Sequence, residues 1–154
     1  GDCEQATIGI TLHPEKLDGW LAEREKKEFP ELERIYSYRE RRSKRVTHLV
    51  GDWLGSSGLF AVKVALLEVK HPAVILCGVP MDPANHYKRN LPWNDCRVFR
   101  RAWERHLGQI AAGARSWGGW TAQLLGEPTP EWLSARMHPP VHVIENFPGL
   151  GSGE

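Results

Sequence analysis

Chemistry-bearing residues gather in two short loops of this chain. The first, Gly51-Asp52-Trp53-Leu54-Gly55-Ser56-Ser57-Gly58, offers a carboxylate, two hydroxyls and small residues at the start of an apolar segment. Small residues opening a helix leave backbone N–H groups free beside Ser56 and Ser57, where the helix dipole favours negative charge, so a phosphate or carboxylate is expected there. The same residues also admit a structural reading, in which Gly55 and Gly58 permit a tight turn and one serine is the N-cap. The pattern is neither GxGxxG nor GxxxxGK[ST], and it is not the GxSxG elbow that would activate Ser57 as a nucleophile.

The second loop runs from Gly78 to His86 and adds Asp82. An imidazole with an ordinary pKa near 6.5 serves as general base or acid. His86 and Asp52 are therefore the candidate catalytic residues, against the plainer alternative of a surface histidine. His13, at a strand-to-helix turn, joins Gly55, Ser56, Ser57, Gly58 and Asp82 as a candidate ligand contact. His138 and His142 lie four apart, but Pro139 and Pro140 forbid the helix that would aim both at one ion, so neither a metal site nor a cofactor is expected.

These loops need strands and helices to hold them. Residues 6–12 read as a short strand ending at His13-Pro14, with Pro14 in the first turn of a helix to Phe29 whose Leu17, Trp20 and Leu21 share one face. A second short strand is predicted at 34–38 and a third at 46–50. Residues 57–70 are apolar nearly all round, the mark of a buried helix. The run 73–78, Ala-Val-Ile-Leu-Cys-Gly, is the clearest strand, of the type found inside a parallel sheet. Strand, helix and strand over 46–78 make a βαβ crossover, which predicts that 46–50 and 73–78 lie side by side and parallel. Beyond it come a helix over 94–107 with Val98, Phe99, Ala102 and Trp103 on one face, a strand near 112–116, a helix at 119–125 and a last helix opened by Thr129-Pro130. The expected architecture is an α/β domain over 1–147, three-layered and Rossmann-like with a mostly parallel sheet, followed by a mobile tail at 148–154. In such sheets ligands bind beyond the carboxyl ends of the strands, which deliver His13, Asp52 and Asp82.

The segment THLVGDWLGSSGLFAVKVALLEVKHPAVILCGVPMDPANHY, about 40 of 154 residues, resembles the part of bacterial and animal sialyltransferases in which a Ser-Ser-Gly or Ser-Thr-Gly turn opens a buried helix and a strand ends in Gly-(Val/Ile)-x-x. It is also similar to the related domain of archaeal-type 6-hydroxymethylpterin pyrophosphokinases, and small phage or prophage proteins of alphaproteobacteria share its general look. The resemblance implies that Ser56, Ser57 and Gly58 line a nucleotide-sugar site, with His86 the base for an acceptor hydroxyl. It also implies that this chain opens on the second strand of that arrangement, without the strand and glycine-rich loop that hold half of the donor.

Composition sets the remaining bounds. Hydrophobic residues at 41% and charged residues at 25% are those of an ordinary globular protein, and a net charge of +1 gives no global pull toward nucleic acid or an anionic membrane. The basic run from Arg39 to Arg45, with Tyr36 and Tyr38 available for base stacking, offers a contact for a polyanion, against the plainer reading of a solvated loop. Cys3, Cys77 and Cys96 form no CxxC pair, and with Cys77 in an apolar run they read as reduced buried thiols, so a cytoplasmic location is expected. No apolar stretch approaches the ~20 residues that cross a bilayer. Seven tryptophans serve as core anchors or as a surface for self-association. Two functional classes follow: a domain that binds a nucleotide or other phosphorylated small molecule, with a reduced glycosyltransferase-like enzyme as its catalytic form, and a non-catalytic phage-type protein that self-associates or binds a protein partner.

Overall fold

The computed structural model describes residues 6–38, 43–83 and 96–137. These form an α/β arrangement of short, all-parallel strands: β1 (Ile8–Ile10), β2 (Arg34–Ser37), β3 (His48–Leu49), β4 (Val74–Cys77) and β5 (Ala114–Trp117). The helices are α1 (Leu17–Lys26), α2 (Ser57–Lys63), α3 (Cys96–Ile110), α4 (Gly119–Leu125) and α5 (Pro130–Met137). A single 3₁₀ turn over Pro14–Lys16 leads into α1, with proline in its first turn as predicted. Its missing N–H would lack a helical partner there in any case.

The strands divide into two sheets, β1-β2-β3 and β4-β5. Here the structure corrects the sequence expectation that 46–50 and 73–78 are neighbours. β3 pairs with β2 and β4 with β5, so the helical crossover carries the chain from one sheet to the other. β3 is only two residues long and both are exposed, which leaves little ladder with which to pair on its far side.

Alternation along β2 shows how the first sheet is covered. Ile35 packs with Leu17 of α1 and Val46, whereas its neighbour Tyr36 packs with Phe60 and Val64 of the helical segment after β3. Since successive strand residues point to opposite faces, α1 and α2 lie on opposite sides of this sheet. The other flank of α2, Leu59 and Val62, enters the largest core cluster with Leu76, Trp103, Ile110, Ala114 and Leu125. An all-round apolar helix is thus explained: α2 is wedged between the first sheet and the β4-β5 unit. Beyond Lys63 the helix widens to a π-type stretch over Val64–Glu68, where the Val69 N–H reaches back to the Val64 carbonyl.

Three residues expected in the core are on the surface. Trp20 is 46% exposed, because α1 meets the sheet through the narrower stripe of Leu17 and Leu21. Val98 is 61% exposed, since the buried stripe of α3 runs through Cys96, Phe99, Ala102, Trp103, Leu107 and Ile110, and position 98 falls off it. Cys77 is a free, exposed thiol, not a buried one, because alternate residues of β4 face outward, while Cys96 is free and buried. Trp103 is fully buried and is the core anchor among the described tryptophans, whereas Trp117 is 56% exposed.

Candidate functional site

The loops after β3 and β4 meet at the start of α2. A Cβ placed on Gly58 would lie 2.6 Å from Val79 Cγ1 and 3.5 Å from the Trp103 ring, so the second loop packs directly on the first turn of the helix. Gly55 is small for a similar reason, since its Cβ would meet Leu59 Cδ2 at 2.5 Å and Ala102 Cβ at 3.3 Å. Both glycines answer to close packing of buried neighbours. The loops after β3 and β4 thus touch at Gly58 and Val79 although their strands belong to different sheets.

Ser56 is the N-cap of α2, and its hydroxyl oxygen accepts from the Leu59 N–H at 3.3 Å and from Trp103 Nε1–H at 3.2 Å. The side chain is buried and both acceptor directions are engaged. Ser57 beside it is exposed, so of the two serines only Ser57 presents a hydroxyl outward.

Asp52 stands apart from this well-partnered turn. Its Oδ1 is the one buried side-chain oxygen or nitrogen among the described residues without a hydrogen-bond partner. A buried carboxylate oxygen left in that state is costly unless a donor is supplied. The surroundings are cationic and aromatic: Lys63 donates to the carbonyl of Gly51 and its ammonium lies 5.1 Å from the centre of the Trp53 ring. On Trp53 the His106 imidazole stacks almost flat, with centroids 4.1 Å apart and an interplanar angle of 5°. Burial, followed by the positive charges of Arg105 and Lys63, holds the His106 pKa below its ordinary value, which favours the uncharged ring. No sequence signal marked Lys63, Trp53 or His106, because the stack joins side chains of three separate elements.

The loop after β4 is closed by internal bonds. Arg100 donates to Asp82 Oδ1 at 2.9 Å and to the Met81 carbonyl at 2.8 Å, while its guanidinium lies 4.9 Å from the centre of the Trp120 ring. Thr121 donates its hydroxyl to the Val79 carbonyl at 2.6 Å and its N–H to Pro80 O at 3.3 Å. Gly119 at φ +72° fits against Pro80, whose Cα would lie 2.5 Å from an added Cβ. Asp82 therefore already has a charge partner.

His13 is exposed, 3.2 Å from Glu15 through Nδ1, and follows β1. His86 lies outside the described residues, as do His138, His142, Trp93, Arg39, Arg41 and Arg42. A cleft of about 1150 Å³ opens elsewhere, between α1 and residues 43–47, lined among others by Asp18, Leu21, Glu25, Phe29 and Arg45. None of the predicted site residues among the described ones borders it. Among the described residues no group of three or more His, Cys, Asp or Glu side chains is placed to hold a metal, and no helix is long and apolar enough to cross a membrane. No family model, curated protein or solved structure matches the chain.

Proposed function

We propose that this chain is a small-molecule-binding domain of Rossmann-like character, and that its ligand is a nucleotide or nucleotide sugar held at the edge where the loops after β3 and β4 meet α2. The observation that carries this reading is the unpartnered, buried Oδ1 of Asp52. An acceptor of that kind suits the donor hydroxyl of a ribose or sugar. The Lys63 ammonium, the exposed Ser57 hydroxyl and the Trp53–His106 stack supply, in the same neighbourhood, a positive charge, a further donor and an aromatic surface.

The test is a thermal-shift and calorimetric series with CMP, UDP and their sugar conjugates. A ligand at 100 times its dissociation constant stabilises by about 2.7 kcal/mol, and Asp52→Asn is expected to remove most of that shift. Absence of a shift with every member of the series overturns the reading. Glycosyl transfer would add an inverting displacement in which His86 takes the acceptor proton. His86→Ala would then abolish turnover and leave binding intact.

A rival reading, a non-catalytic protein of phage type that self-associates, draws on the uncovered Trp117 face of β4-β5. A discrete dimer by sedimentation, together with no nucleotide shift, would replace the first reading by the second.

A further inference from the structure

One side chain holds both neighbours of Asp52. Lys63, the last residue of α2, donates to the carbonyl of Gly51, and its ammonium lies 5.1 Å from the centre of the Trp53 ring. It therefore grips the residue before the carboxylate and the residue after it. Both ends of this grip are anchored: Val62 and Val64, on either side of Lys63, are fully buried, and the Trp53 ring is stacked on His106 of α3. Asp52 itself is half-buried, and its Oδ1 has no partner although an ammonium bonds the adjoining peptide. A carboxylate is ordinarily the stronger acceptor for a lysine. Here the donor goes to a carbonyl, and Oδ1 stays open.

We propose that Lys63 is the positioning residue of this site, holding the Asp52 carboxylate open so that it selects a ribose hydroxyl and distinguishes ribonucleotides from their deoxy counterparts. The inference rests on the nucleotide reading given above and narrows it to ribonucleotides. A loop free to turn would let the carboxylate find water whenever the ligand brought no donor, and ligands with and without the hydroxyl would then bind nearly alike. A carboxylate held in place has no such escape. The ribose hydroxyl satisfies it, whereas a deoxy ligand leaves a desolvated acceptor unpaired, which is the circumstance in which a site rejects an analogue most strongly. Phosphate cannot take the hydroxyl's place, because two negative groups at one point repel.

Calorimetry provides the test. CMP and UDP, each beside its 2′-deoxy and 3′-deoxy counterpart, are titrated into the wild-type chain, Lys63→Met, Lys63→Arg and Asp52→Asn. In the wild-type chain at least one deoxy ligand is expected to bind about tenfold more weakly than the ribonucleotide. Lys63→Met keeps the apolar stem without its donors and should bring that ratio close to one, chiefly by weakening the ribonucleotide. Lys63→Arg, which can still donate to the Gly51 carbonyl, should preserve most of the ratio, and Asp52→Asn should abolish it. A lysine that only touched phosphate would weaken every ligand by one factor, and one that only supported the fold would lower the melting temperature; either would leave the ratio untouched in Lys63→Met and overturn the proposal. A ratio that survives Asp52→Asn overturns it too, since the hydroxyl is then read elsewhere. If Lys63→Met does not fold, Lys63→Gln takes its place with the same expected loss. Equal affinities of the ribo and deoxy ligands for the wild-type chain overturn this inference and leave the nucleotide reading standing, whereas no binding by any member of the series removes both.

Discussion

The loops that follow β3 and β4 reach the same end of α2 and have opposite characters. In the second, Asp82 is paired with Arg100, and the carbonyls of Val79, Pro80 and Met81 are all bonded. In the first, Ser56 is fully engaged, yet four residues earlier Asp52 keeps a buried oxygen without a donor. Folding alone satisfies one loop and leaves the other incomplete. The difference teaches that an acidic residue beside a strand end is not by itself a binding group, since the same residue type forms a structural clasp in one loop and an open acceptor in the other.

The junction between the loops is where the comparison breaks most violently. Trp103 is fully buried and ties α3 to the cap of α2, so Trp103→Ala should cost about 3–5 kcal/mol of unfolding free energy in denaturant titrations. Ser56→Ala removes the cap and strands the Trp103 N–H, for a loss of about 2 kcal/mol, whereas Ser57→Ala should change stability by less than about 0.5 kcal/mol. If the two serine variants were equally stable, the cap would be misassigned.

The acids sharpen the contrast. Asp82→Ala breaks a partly exposed clasp and should cost no more than about 1 kcal/mol. Asp52→Asn, which removes the charge from a carboxylate whose Oδ1 is buried without a partner, is expected to leave the ligand-free protein as stable or up to about 1 kcal/mol more stable. An Asp52 variant markedly less stable than the Asp82 one would mean that Asp52 is bonded within the fold.

The smallest effect is a pH dependence at His106. With its folded pKa held below the ordinary 6.5, the unfolded chain takes up the proton first. Its contribution to stability is therefore full above pH 6.5 and is lost as pH falls through the lowered folded value. His106→Gln should flatten that acid limb, and urea titrations at stepped pH read the difference between the two proteins.

Local signals on the chain were enough for the helical starts and the strand positions. Pro14 and Thr129-Pro130 mark helix openings by removing or satisfying N–H groups that have no helical partner, and α4 begins and ends where it was predicted. The all-round apolarity of 57–70 announced a helix buried on two sides. These properties depend on neighbours a few residues apart, so they are written in the order of the side chains. Which strands share a sheet, whether Ile75 and Cys77 face the core or solvent, and the meeting of Lys63, Trp53 and His106 were settled only in three dimensions. Each depends on contacts between segments far apart in sequence, where hydrophobic pattern states that a face must be covered but carries no label for the element that covers it.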